Sequence, residues 1–212
     1  MKCSIPDRVR KAVVVAGAVL CVSLVFAKPS VAGPCTPDRG EAPGVYVPDR
    51  GCFQIGIGYE YEHFNVLGTS FHDHAYTANF AMHLFDAVTG ATGRLTVGAE
   101  AALAAGFGGK TPGIPSSDAK SFFIGAGPRV ALETNSRFEP WVHGLVGLQH
   151  FRFTQGAVLG SNSALGFKVG GGVDIRLAPR ISWRVQGDYV GSDFQSSIQS
   201  NYSAGTGIVL HF

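Results

Sequence analysis

From residue 52 onward, apolar and polar side chains alternate in eight separate stretches. Successive side chains of a β-strand point to opposite faces, so strict alternation predicts strands with two unlike sides. The clearest stretch is 52–64. Phe53, Ile55, Ile57, Tyr59 and Tyr61 share one side; Gln54, Gly56, Gly58, Glu60 and Glu62 share the other. Further strands are predicted over 75–85, 93–107, 121–133, 140–152, 164–177, 181–190 and 201–212. In the stretch 140–152 the pattern is weakest, with Val142, Val146 and Leu148 set against Trp141, His143 and Gln149. The final stretch places Tyr202, Ala204, Thr206, Ile208, Leu210 and Phe212 together, against Asn201, Ser203, Gly205, Gly207, Val209 and His211.

The expected connections alternate in length. Those at 86–91, 134–139 and 178–180 are short, whereas 66–74, 108–120, 153–163 and 191–200 are longer and richer in Gly, Ser and Pro. Short turns at one end and longer loops at the other suit a barrel that crosses a membrane. A soluble lipocalin-like barrel or sandwich would hide its apolar side and show its charged one. Membrane immersion reverses that choice, and it demands closure, because an open sheet edge cannot be satisfied in lipid. The predicted fold is all-β: an eight-stranded antiparallel up-and-down transmembrane β-barrel over residues 51–212. The position of Tyr59, Tyr61, Tyr76, Trp183, Tyr189 and Tyr202 separates the two readings, since a membrane barrel carries an outward aromatic girdle.

The first 50 residues carry a different signature. Lys2, Arg8, Arg10 and Lys11 precede an uncharged apolar run over 12–27. Ser30, Val31 and Ala32 then supply small residues suited to a signal peptidase. Residues 1–32 read as a cleaved signal peptide, with cleavage after Ala27 as the alternative. Residues 33–50, rich in Pro, Gly and charge, read as a periplasmic tether. Past Ala32 the chain holds 12 Lys/Arg against 14 Asp/Glu, a net of −2, so the formal +2 of the whole sequence belongs to the leader. That balance gives no reason to expect nucleic-acid binding. Cys35 and Cys52 are the two cysteines after the leader, and a compartment that permits disulfides makes them a candidate bridge.

Charged residues collect on the sides opposite the apolar ones. Glu60, Glu62, Arg94, Glu100, Arg129, Glu133, Lys168, Asp174, Arg176, Arg184 and Asp188 are all expected in the lumen. An eight-stranded barrel is just wide enough for side chains to fill it, so these charges must pair. A polar core that fixes register is the preferred reading, and a narrow ion path is the alternative. Gly172, on the same side, is expected to tolerate Ser better than neighbouring Val173 tolerates Arg.

Other chemistry is sparse. His72 and His74, with His63 and Asp73 nearby, are the one candidate metal cluster, but two imidazoles without a fixed third ligand do not define a site. The expectation is no metal and no cofactor. Ser192, Asp193, Ser196 and Ser197 in one loop and His150 near another could serve a lipid-modifying enzyme, the third reading, but form no recognisable catalytic pattern. The run 170–172 is not a phosphate loop, because no helix follows it.

Several segments carry a resemblance. Residues 122–129 (Phe-Phe-Ile-Gly-Ala-Gly-Pro-Arg), 139–144 (Glu-Pro-Trp-Val-His-Gly), 170–176 (Gly-Gly-Gly-Val-Asp-Ile-Arg), 184–189 (Arg-Val-Gln-Gly-Asp-Tyr) and 203–207 resemble the small eight-stranded outer membrane protein β-barrel family, OmpA/OmpX-like. The resemblance spans roughly residues 51–212. It implies a bacterial outer-membrane location, a monomer, and outer-membrane lipids, periplasmic chaperones and the barrel assembly machinery as partners. It also implies that Tyr202, Ile208, Leu210 and terminal Phe212 act as an assembly signal. A structural or surface-interaction role without catalysis is the function it favours.

Overall fold

A computed structural model describes residues 52–66, 69–90, 93–110, 117–155, 158–194 and 197–212. The expected leader, its cleavage sites and the tether lie outside these residues. Eight strands follow one another: β1 (Phe53–Val66), β2 (Thr69–Gly90), β3 (Gly93–Lys110), β4 (Ser117–Thr134), β5 (Phe138–Gln155), β6 (Val158–Ala178), β7 (Ile181–Phe194) and β8 (Ser197–His211). Each pairs antiparallel with its chain neighbour, and β1 pairs with β8 to close the ring. The seam runs from Gln54 opposite His211 to His63 opposite Tyr202. Below it, Phe53 and Phe212 exchange two backbone hydrogen bonds, at 3.2 and 2.9 Å. Closure leaves no edge within the lipid layer, as a membrane barrel requires.

The alternation seen in the sequence is the partition between outside and inside. Ile57, Tyr76 and Leu177 project outward and are 66%, 69% and 62% exposed, whereas Glu60, Arg129 and Lys168 point inward and are 3–4% exposed. The uncertain strand β5 follows the same rule: Val142, Val146 and Leu148 face out, and Trp141, His143 and Gln149 face in. The pairing of β2 with β3 shifts register at three places, between His72 and His74, His83 and Phe85, and Asp86 and Val88. The shift between His83 and Phe85 leaves Leu84 without a partner in β3 and sets Phe85 opposite Val97.

The expected loop lengths need correction. Only residues 67–68, 156–157 and 195–196 separate three of the strand pairs at the end opposite Phe53 and Phe212, with 111–116 between the fourth. The stretches expected as long loops are largely strand. β2 begins at Thr69, so His72, Asp73 and His74 belong to a strand and not to a solvated loop. The asymmetry between the two barrel ends lies in strand extension more than in loop length.

Gly172 also departs from expectation. A Cβ there would collide with the carbonyl oxygen of Val185 and stand 2.9 Å from Trp141 Cζ2. The glycine faces the lumen, but its hydrogen gives room to an indole and a neighbouring strand, so Ser is not a mild substitution.

Candidate functional site

The lumen is filled from bottom to top by three kinds of contact. At the turn end, Arg94 forms an ion pair with Glu133, donating from Nε at 2.5 Å, and lies 3.9 Å from Asp86. His83 Nε2 stands 2.9 Å from the same Asp86. These groups come from β2, β3 and β4, which are neighbours, so the pairs reinforce local register.

The middle of the lumen is a network that crosses it. Asp174 on β6 accepts two parallel hydrogen bonds from Arg184 Nε and Nη2, both 2.7 Å, a bidentate geometry suited to guanidinium and carboxylate. The same carboxylate accepts from Arg129 Nη2 at 3.2 Å and from Trp141 Nε1 at 3.1 Å. The guanidinium carbons of Arg129 and Arg184 lie 4.1 and 4.7 Å from the Trp141 ring centroid, close enough for cation–π attraction. Arg129 also reaches Glu100 at 3.2 Å. His143 then bridges Glu100 and Asp188, at 3.1 and 3.2 Å.

Higher up, Lys168 Nζ donates to Glu60 at 2.9 Å and to Glu62 at 3.3 Å. Gln186 Nε2 donates to Glu60 at 2.6 Å and stands 3.4 Å from Asp188, joining this cluster to the one below. Ser121 Oγ lies 3.1 Å from Glu62 and 2.9 Å from Asp73. One hydroxyl proton can serve only one of these acceptors at a time, so Ser121 couples the two carboxyl groups.

Above Ser121 the lumen turns apolar. Phe64, Phe71 and Phe151 are 0–1% exposed, with Ala119, Ala164 and Val190 around them. Phe64 stacks on Phe71 with centroids 5.2 Å apart, and Phe151 meets Phe64 edge-on at 4.9 Å. A second buried group, Ala104, Phe123 and Leu145, lies beside Lys168, whose ammonium is 5.3 Å from the Phe123 centroid. A cavity of about 20 Å³ touches Glu60, Glu100, His143, Lys168 and Asp188. That volume holds about one water. A second, of about 10 Å³, lies by Gly58, Glu60 and Arg184.

Ten of the eleven charges expected in the lumen take part in these ion pairs and hydrogen bonds. Arg176 stands apart: it is half-buried and its Nη2 has no hydrogen-bond partner among the described residues. Sequence reasoning placed Asp73 beside the histidines and not in the lumen, and it missed Ser121 and the aromatic cluster. Cys52 is disulfide-bonded, and its expected partner Cys35 lies outside the described residues. Tyr202, Ile208, Leu210 and Phe212 form one exposed column on β8.

Two outward-facing groups complete the chemistry. On β1 and β2, Tyr59, Tyr61 and His63 stand opposite Tyr76, His74 and His72. His63 and His72 approach at 3.2 Å between Nδ1 atoms, and Tyr59 hydrogen-bonds His74. Asp73 points inward, away from this ladder. Among the described residues, no group of three or more His, Cys, Asp or Glu is placed to hold a metal. Farther round, His150 Nδ1 lies 2.7 Å from Ser163 Oγ, a base beside a hydroxyl, as buried His211 Nε2 lies 3.0 Å from Ser182 Oγ in the lumen. Ser192 is buried, and the side chains of Asp193, Ser196 and Ser197 lie outside the described ones.

No protein-family model matches the sequence, and no curated protein matches it. Solved structures do match in shape. Neisserial surface protein A shares 15% identity over 76% of this chain and 97% of its own, with a TM-score of 0.61. Ail, the attachment invasion locus protein of Yersinia pestis, shares 17% identity over 76% and 97%, with a TM-score of 0.51. At such identities the likeness is one of fold. That fold, the small eight-stranded outer-membrane barrel, together with an apolar exterior and charged interior, places the chain in the bacterial outer membrane.

Proposed function

We propose that the protein is a closed, non-conducting barrel with a structural and surface-interacting role in the outer membrane, and that it is not an enzyme. The observation that carries this reading is the plugged lumen. A permeating ion would have to separate Phe64, Phe71 and Phe151, then break the Lys168–Glu60 pair and the Arg129–Asp174–Arg184 cluster below them. Removing one member of a buried ion pair costs about 3–5 kcal/mol, and several would have to open together. A lipid-modifying role is less well supported, because no carboxylate is bonded to His150 among the described residues to orient it as a base.

In this reading residues 1–32 direct export, residues 33–50 are a periplasmic tether held by a Cys35–Cys52 bridge, and the barrel inserts as a monomer. Periplasmic chaperones and the assembly machinery are its transient partners. Single-channel recording of the refolded protein in planar bilayers tests the proposal, with a flat baseline as the expected result. Reproducible stepwise conductance abolished by enlarging the plug would overturn it. The catalytic alternative is tested by lipid A mass profiles from cells with and without the protein, which are expected to be identical.

A further inference from the structure

Across β4, β5 and β6, outward-facing side chains change character rung by rung toward the loop end. Ile124, Leu148 and Leu165 lie side by side and are 50%, 48% and 52% exposed. The next rung is Phe122, His150 and Ser163, tied by the His150–Ser163 hydrogen bond. Above it come Lys120, Arg152 and Ser161, all exposed.

Lys120 stands directly opposite Arg152. Like charges facing each other across a strand pair destabilise it. Asp118 answers only in part: it lies 3.8 Å from Lys120 Nζ, and both side chains are half exposed. Two cations and two hydroxyls on adjacent rungs are therefore left with an anion to gain.

Height identifies the anion. Along β5 the outward face is free of charge from Phe138 to Leu148. About ten steps of ~3.3 Å, tilted by ~40°, span roughly 25 Å, the height of the lipid-facing band in such barrels. Arg152 is four residues farther on, roughly 10 Å above that band on the same arithmetic. This is the headgroup layer of the leaflet at the loop end. We propose that Lys120, Arg152 and Ser161, with His150 and Ser163 beneath, bind the phosphorylated headgroup of an outer-leaflet lipid of the lipid A class. Its acyl chains lie along Ile124, Leu148 and Leu165. The proposal goes beyond the closed-barrel reading but rests on its outer-membrane placement.

The test compares unfolding temperatures of the full barrel, read as loss of the heat-modifiable form, in phosphatidylcholine bilayers. These are supplemented with bisphosphorylated lipid A, with dephosphorylated lipid A, or with inorganic phosphate in the buffer. Bisphosphorylated lipid A should raise the unfolding temperature; the dephosphorylated lipid and inorganic phosphate should not. The increment should vanish in Lys120→Gln/Arg152→Gln and persist in the charge-keeping Lys120→Arg/Arg152→Lys. It should also persist in Arg137→Gln/Arg180→Gln, which removes cations at the opposite rim. An equal increment in the charge-removing variant, or an equal effect of inorganic phosphate, would overturn the proposal. Failure of every form to fold in phosphatidylcholine would instead count against the barrel reading itself.

Discussion

Lys168 and Glu60 meet at 2.9 Å across the lumen, although their strands, β6 and β1, are not neighbours in the ring. Both side chains are about 4% exposed. The pair braces the barrel through its interior, where backbone hydrogen bonds act only around the wall.

Replacing Lys168 by Met should therefore cost about 3–5 kcal/mol, since Glu60 and Glu62 both lose their shared ammonium. Urea unfolding of the refolded barrel, followed by its gel shift, measures the loss. Converting Glu60 and Glu62 to Gln in the same chain should recover most of it. No recovery would show that the ammonium matters for packing and not for charge.

The two tryptophans give an optical check of inside against outside. Trp183 is 43% exposed on the lipid side, whereas Trp141 is 3% exposed among guanidiniums in the lumen. Brominated lipids should quench the fluorescence of Trp141→Phe, in which Trp183 remains. They should leave Trp183→Phe almost unquenched. Equal quenching would mean that β5 or β7 is turned over.

Val173→Arg puts a cation on the lipid face of β6, opposite Pro140 and toward the Phe138 end of the apolar band, and should cost less than the ~2–4 kcal/mol of a midplane cation. Gly172→Ser should also impair folding, through collision with the Val185 carbonyl and Trp141. The two losses have different remedies. Shrinking Trp141 to Phe should ease the Gly172→Ser defect and leave the Val173→Arg defect unchanged, as measured by folded yield in lipid vesicles.

Most of the architecture was legible because the inside–outside rule holds along the strands, the shifted end of β2 apart, down to the register of Tyr202 through Phe212. What escaped notice was the upper lumen. Phe71 and Asp73 continue the inward parity of Thr77, Asn79 and Ala81, so alternation alone could have extended β2 through them. The Ser-, His- and Asp-containing composition of 70–74 read instead as a loop. Phe64, Phe123 and Phe151 were hidden for another reason: a rule that assigns apolar residues to lipid cannot find an apolar plug. Pairing was harder still. Which cation meets which carboxylate depends on stagger across the ring, and alternation along one strand carries no information about that.

Phe212 separates side chain from backbone. Its ring is 57% exposed, while its backbone exchanges two hydrogen bonds with Phe53. Phe212→Ala should fold in detergent like the wild type yet insert poorly in cells if the ring is an assembly signal. Deleting the residue should harm both, because the bonds to Phe53 go with it. Heat-modifiable protein in isolated outer membranes, compared with refolded yield in detergent, distinguishes the two effects. Normal insertion of Phe212→Ala would remove the signal role.

The β1–β8 seam has a consequence in time. Seven strand pairings join consecutive segments, but this one joins residues roughly 150 positions apart, and such distant pairings are slow to form. Until it forms, the sheet has two bare edges, each able to recruit a strand from another copy. The molecule is most vulnerable just before completion, when seven hairpin pairings are in place and the ring is still open. Its safety in the cell depends on how briefly that interval lasts and on what shields the edges meanwhile.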